Sequence, residues 1–450
     1  MLKGKEDLDL INGRIGKSLL HLSIPIVILN LMRTVYNLID AFWVGKLGTD
    51  PLAAIGFGFP LVLVFISVGI GISVAGSVLV AQYEGSQNKK MTNYSASQVL
   101  SFNLIVSVIL TIAGFLLAGF LLELYGASDS VFNLAFDYLR TIILGIPFIF
   151  GFGAFIAFMR GYGDTKTPML LMIFSIVLNL ILDPILIFGW GPFPALGIVG
   201  AAVATVFSRG VAFAIGIAIL LSGAKGIKVT LSKMIPDFNF YERIVRLGGP
   251  ALLGTTGRII SINVIVAIVG RFAAIFMAGY TVGIRIISAI FLSAIAIGRG
   301  VTTISGQNLG ASEFDRAESV ASTGAKYTFF LYTLLGIIIF LLAEPIMSIF
   351  TGDPKAISIG GEFLRYSALS LGFIGITQSL AGGIRGAGKT HIAALILLIP
   401  LAFVRVPLAF ILSRFLGPTG IWIAFPISNI AGAIIAYTWF TKSNWKQKII

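Results

Sequence analysis

Apolar runs long enough to cross a lipid bilayer follow one another along almost the whole chain, and that pattern leaves few folds open. A membrane span needs about 20 mostly apolar residues. Such runs lie near 19–44, 52–81, 97–122, 132–158, 167–188 and 196–221, then near 246–269, 276–304, 326–343, 362–383, 392–413 and 420–440. Within lipid each segment must satisfy its own backbone polar groups, so spans of this length are helices. Charged residues make up only 11% of the chain. A soluble domain carries about 25%, and this chain has too few charges to cover a surface facing water. The fold class expected is all-α integral membrane, with about twelve transmembrane helices.

The loops orient the spans. Twenty lysines and arginines fall on the side that carries both termini, against Lys46, Arg271, Lys355 and Arg414 on the other. Positive charge gathers on the cytoplasmic side of a membrane, so both termini are expected in the cytoplasm, and the lack of cysteine and of long tails fits a multi-pass protein of a prokaryotic plasma (inner) membrane. Topology thus accounts for the net charge of +13. The basic residues are scattered and form no stripe with interleaved aromatics, which argues against a nucleic-acid partner. The first residues, MLKGKEDLDLINGRIG, are too polar for a cleaved leader. Cysteine is absent and the two histidines, His21 and His391, lie far apart. No thiolate site, phosphate loop or Ser/His/Asp set is visible, so neither an enzyme nor a resident cofactor is expected.

The two halves repeat at an offset of 225 residues. Pro25 aligns with Pro250, Arg33 with Arg258, Gly45 with Gly270, Gln82 with Gln307 and Gly85 with Gly310. Arg160-Gly161 and Gly163 align with Arg385-Gly386 and Gly388. Six spans per half keep both halves in the same orientation, which predicts two pseudo-symmetric six-helix bundles around a central cleft, a transporter architecture. The organisation read from these signals is a tail over 1–15, an N-terminal lobe over 16–222, a linker over 223–245, a C-terminal lobe over 246–441 and a tail over 442–450.

Two carboxylates fall inside spans, where a charge is costly and usually functional. They are Asp40, in YNLIDAFWV, and Asp183, in LNLILDPILIF. Counting from the ends of their helices at about 1.5 Å per residue puts both roughly 7–9 Å below the outer surface. Tyr36 and Asn37 precede Asp40 by one turn, Asn179 precedes Asp183 by one turn, and Thr205 in the sixth span sits at a comparable depth. Two such acids cannot both stay ionised cheaply in a medium of low dielectric. The set Asp40, Asn179, Asp183 and Thr205 is therefore a candidate site for a proton or for Na⁺. Pro25 and Pro184 are candidate bends beside it. At the same offset Asp40 is replaced by Ile265, and the Asp183-Pro184 region faces Val406-Pro407, so the acids are confined to the first half.

The second half carries cations instead: Arg258, Arg285, Arg299 and Arg405. Pairing with carbonyls, reaching to the interface and binding an anionic group all remain open for them. Candidate cleft residues are Gln378, Tyr280, Phe59, Phe150, Phe155 and Arg285.

The stretch from Pro25 through YNLIDAFWVGKLG and LAAIGFGFP resembles the multidrug and toxic compound extrusion (MATE) transporters. So do MRGYGDTKTP, IRGAGKT, LNLILDP and GIVGAAVAT, and the resemblance runs from about residue 15 to 441. The likeness is greatest to the DinF-type branch, which keeps an acidic site in its N-terminal lobe and lacks the C-terminal acids of the NorM-type branch. It implies export of small amphipathic or cationic compounds in exchange for H⁺ or Na⁺ by alternating access. It places Tyr36, Asp40, Asn179, Asp183 and Thr205 on positions that branch uses for the cation, with Asn37 as a departure. Membrane lipids are the other expected partners, and a monomer the expected state. The rival reading is a flippase for lipids or lipid-linked saccharides, which would need cleft cations for phosphate.

Overall fold

The computed structural model describes residues 9–126 and 129–450, and among these the regular structure is helical throughout. The first half contains α1 (Ile15–Gly45), α2 (Thr49–Gly85), α3 (Lys89–Leu124), α4 (Asp129–Leu144), α5 (Ile146–Tyr162), α6 (Lys166–Phe188) and α7 (Ile198–Ser222). A 3₁₀ turn at Leu231–Lys233 precedes α8 (Phe238–Val269), α9 (Ala274–Gly310), α10 (Phe314–Leu341), α11 (Ala343–Ser348), α12 (Pro354–Ala368) and α13 (Leu371–Gly386). The last elements are α14 (Thr390–Ile399), a π-helical turn at Pro400–Arg405, α15 (Val406–Leu416) and α16 (Pro418–Lys442). Ten spans among the described residues are long and apolar enough to cross a membrane. Two more are bent pairs, Val131–Leu144 with Ile146–Tyr162 at 47° and Pro354–Ala368 with Leu371–Gly386 at 48°. These twelve fall on the twelve apolar runs. By contrast, α1 and α6 each run as one helix through Pro25 and Pro184.

Contacts divide the chain into two units, Ile28–Leu252 in one and Leu253–Ile450, with the start of α1 up to Val27, in the other. The division falls inside α1 and α8 rather than at the segment boundaries read in the sequence. The stretch after α7, read as a linker, is fastened along α3. Gln98 Nε2 donates to the carbonyls of Lys233 and Ile235 at 2.8 Å each, Ser101 Oγ donates to that of Met234 at 2.6 Å, and Tyr94 Oη donates to Asp237 Oδ2 at 2.6 Å. In the second unit Leu19 and Leu22 are buried with Val301, Ile304 and Leu380. The final segment, read as a tail, is also held: Trp445 is buried in that cluster, and Lys446 pairs with Glu318 at 2.7 Å. Of the expected N-terminal tail, residues 1–8 lie outside the described residues.

The second, third and fourth spans of each sequence half begin at positions that correspond at the 225 offset, 49 and 274, 89 and 314, and 129 and 354. Both α2 and α9 are 37 residues long, and their first and last residues correspond at the 225 offset. Gly163 and Gly388 both take positive φ, 103° and 74°, ending a helix in the left-handed conformation that suits glycine. Two residues earlier, a Cβ on Gly161 would meet the Ser77 carbonyl oxygen at 2.6 Å, and one on Gly386 would meet that of Thr302 at 2.8 Å. Ser77 and Thr302 are themselves repeat partners, so the same close helix crossing is built twice. The fifth spans differ: α6 is continuous, whereas its counterpart is interrupted by the π-helical turn.

Candidate functional site

Asp40 and Asp183 come together inside the first unit. On α6, Asp183 is fully buried, and Asn179 one turn before it donates from Nδ2 to Asp183 Oδ1 at 3.0 Å. Pro184 has no amide hydrogen to complete the helix at that turn, leaving a backbone carbonyl without its helical donor beside the carboxylate. On α1, Tyr36 is buried and its hydroxyl shares a 2.5 Å hydrogen bond with Thr205 Oγ1 of α7. Asp40 follows Tyr36 by one turn, the spacing that keeps two side chains on one helix face. Asp40 and Asp183 lie within range of each other's charge, and Tyr36 and Tyr138 lie within range of both. Asp40 Oδ1, Asp183 Oδ2 and Asn179 Oδ1 are buried and have no hydrogen-bond partner among the described residues. Buried oxygens are nearly always satisfied, so three orphans of one chemical type make this a candidate site for a proton or a hard cation. Oxygen donors of this kind fit the coupling ion read from the sequence.

Two residues of this neighbourhood escaped the sequence reading. The guanidinium of Arg209 lies 5.3 Å over the Tyr36 ring and donates from Nη1 to Met172 Sδ at 3.3 Å. Its signal was as plain as that of Asp40: a charge inside an apolar run, one turn after Thr205. Tyr138 of α4 carried no such signal, being an uncharged aromatic in FDYLRT beside the charged Asp137 and Arg140. Asn37 moves the other way. It is exposed, because a residue next to Tyr36 is turned about 100° around the helix from it, away from the bond to Thr205.

The cleft candidates separate. Phe150 and Phe155 are buried packing residues rather than lining. The Phe150 ring covers Gly69, while Phe155 covers Gly216 and stacks on Phe152 at 6.2 Å. Rings opposite glycines let helices approach closely, and that use absorbs them. Phe59 and Arg285 are exposed. Tyr280 and Gln378 line a cavity of about 270 Å³ inside the second unit, together with Arg258 and Arg405. Arg299 is half-buried on α9 outside that lining.

The MatE family profile matches residues 25–185 and 250–411, two segments whose starts are 225 residues apart. The chain is 28% identical to YoeA of Bacillus subtilis, named a probable multidrug resistance protein, covering 95% of this chain and 93% of that one. It is 28% identical to a protein of Shewanella oneidensis named an FAD transporter, covering 96% of each. A crystal structure described as MATE in the bent conformation superposes with a TM-score of 0.90 at 26% identity, covering 97% of each chain. Twelve apolar spans, a doubled six-span unit and a profile that matches both halves agree: the chain belongs to the MatE family of membrane transporters and is not an enzyme.

Proposed function

We propose that the chain is a secondary active antiporter that exports amphipathic or cationic small molecules in exchange for H⁺ or Na⁺. Its coupling site is Asp40 and Asp183, with Tyr36, Asn179 and Thr205 around them. The observation that carries this reading is the pair of carboxylates in one apolar unit, within range of each other's charge and each with a buried, unpartnered oxygen. Two negative charges repel strongly where the dielectric is low. A proton on one of them, or Na⁺ held by Asp40, Asp183, Asn179 and Thr205 oxygens, relieves that repulsion. Tyr36 ties α1 to α7 through Thr205, so a change at Asp40 one turn away acts on the same helix and alternates its packing. Loading of the cation from outside then accompanies release of cargo, and its loss to the cytoplasm resets the cycle. The protein works as a monomer in the plasma membrane with both termini in the cytoplasm.

The name of the Bacillus relative supports a multidrug cargo, whereas the name of the Shewanella relative is a reminder that membership alone does not choose one. A flippase acting on lipids or lipid-linked saccharides is the second reading, favoured by Arg258 and Arg405 in the second unit's cavity. The test is dye efflux from proteoliposomes, comparing wild type with Asp40→Asn and Asp183→Asn under separate H⁺ and Na⁺ gradients. Efflux on one gradient that both variants lose supports the coupling site and names the ion. Normal efflux by both folded variants refutes it. Lipid scrambling without efflux by the wild type selects the flippase.

A further inference from the structure

The cavity in the second unit is the electrostatic opposite of the acidic site. Among the described residues, Arg258 of α8 and Arg405 of the π-helical turn are the only charged ones in its lining. The chain offers no acid in that part of the unit: no Asp or Glu occurs over 253–312 or 363–450. Of the acids between these stretches, Glu344 pairs with Arg365 at 3.0 Å and Glu362 accepts from Thr419 Oγ1 at 2.8 Å, both away from the cavity lining. Arg258 and Arg405 are half-buried; charges drawn into an apolar interior are ordinarily paired, and two like charges facing one cavity without a counter-ion call for an anion.

The arginines are also held as a binding site would hold them. Arg405 donates from Nε to Ser428 Oγ at 2.8 Å and from Nη2 to Asn429 Oδ1 at 2.6 Å, and Asn429 Nδ2 donates in turn to Ser370 Oγ at 2.9 Å. These acceptors are neutral, so they fix the guanidinium without cancelling its charge. The π-helical turn that carries it is a device found often at functional sites. Arg258 lies 4.5 Å over the Phe291 ring and makes no hydrogen bond among the described residues, which leaves its planar edge of donors available. Gln378, 4% exposed, lines the cavity with its amide unbonded, and Ser367 Oγ is buried there without a partner. The rest of the wall is largely apolar. It includes Ile265, the residue standing where the first repeat has Asp40.

We propose that this cavity binds a small organic anion, a carboxylate, sulfonate or phosphate group on an apolar body. Arg258 and Arg405 clamp the anionic group, Gln378 donates to it, and the isoleucine and aromatic wall takes the body. Guanidinium suits such groups because its parallel N–H donors match their oxygens. A volume of about 270 Å³ falls just below the usual range of ligand pockets, about 300–1,000 Å³, and calls for an anion of one ring or one short chain segment. The anionic group belongs either to a soluble compound or to a lipid headgroup or fatty acid whose apolar part enters the cavity. The inference concerns binding within the second unit and stands apart from the coupling reading.

The test uses the purified full-length protein in a neutral detergent, titrated calorimetrically with phenyl phosphate and benzenesulfonate, and with benzyl alcohol and benzyltrimethylammonium as neutral and cationic controls. Saturable binding of the anions alone is expected. Arg258→Gln and Arg405→Gln should each weaken it about tenfold or more, the loss of a charge-assisted hydrogen bond, and Arg405→Lys should restore part of it. Ile265→Asp leaves both arginines in place and supplies an internal counter-charge, so it too should abolish binding while the thermal unfolding midpoint shows a folded protein. Equal binding of all four probes, or anion binding unchanged in the Ile265→Asp and arginine variants, overturns the proposal, as does failure of wild type to bind either anion after delipidation. Native mass spectrometry separates the sources. An anionic lipid that copurifies with wild type but not with Arg405→Gln assigns the site to lipid, and its absence beside phenyl phosphate binding assigns it to a soluble anion.

Discussion

Asn179 and Asp183 stand one turn apart on α6, and the amide Nδ2 of the first donates to the carboxylate Oδ1 of the second at 3.0 Å, while Asn179 Oδ1 and Asp183 Oδ2 have no partner among the described residues. The bond steers the carboxylate and leaves an oxygen of each residue free. Replacement of Asn179 by Leu removes both a donor to the charged oxygen and a candidate ligand. A hydrogen bond to a charged group contributes about 1.5–3 kcal/mol. The cation concentration for half-maximal efflux by Asn179→Leu should therefore move by about tenfold or more, measured against the driving ion identified with wild type.

The bond between Tyr36 and Thr205 links α1 to α7, and it gives a double-mutant prediction. Tyr36→Phe and Thr205→Val should each slow cation-driven efflux several-fold, since a hydrogen bond of this kind contributes about 1 kcal/mol. The double variant should be little worse than either single one, because both remove the same interaction. Fully multiplicative losses in the efflux rates would show that the two residues act independently.

Gln98 holds the segment after α7 by three bonds, donating to the carbonyls of Lys233 and Ile235 and accepting from the Asp237 amide at 3.2 Å. Gln98→Ala leaves those groups partly unsatisfied, at a cost of about 1–3 kcal/mol. A lower thermal midpoint is expected, with faster proteolysis between 223 and 237 as a local readout.

Asp237 at that dock is sensitive to pH. The Tyr94 hydroxyl, and then the amides of Phe240 and Asn239, hold its carboxyl below the usual value of 3.8. A depressed value in the folded state means that the stabilisation is present above the unfolded-state value and is lost as pH falls through the folded one. The difference in thermal midpoint between wild type and Asp237→Asn should be constant near neutral pH and close only below about pH 4.

The doubled glycine crossing predicts where a methyl group is not tolerated. Alanine at Gly161 or Gly386 would press on backbone oxygen atoms, whereas alanine at Gly45 would meet nothing within 4 Å. Overpacking costs about 1–3 kcal/mol, so the first two variants should lower the thermal midpoint and Gly45→Ala should leave it nearly unchanged.

The sequence by itself determined the spans, their doubling at 225 residues and the two acids that lie out of place in apolar helices. Those features are local: hydropathy over a window of 20 residues, identity at a fixed offset, a formal charge in a hydrocarbon run. Tertiary structure decided which side chains meet. Phe150, Phe155 and Tyr138 all pack opposite glycines, Gly69, Gly216 and Gly58, yet only Tyr138 also stands within range of the carboxylates. Asn37 and Tyr36 are neighbours in the chain, and only the packing of α1 against α7 turned one toward Thr205 and left the other exposed. The polar face of α3 found its partner in a segment about 135 residues away, which no window on the sequence connects. Arg258 and Arg405 were visible as cations, but only the folding of their helices around one cavity brought them together without an acid.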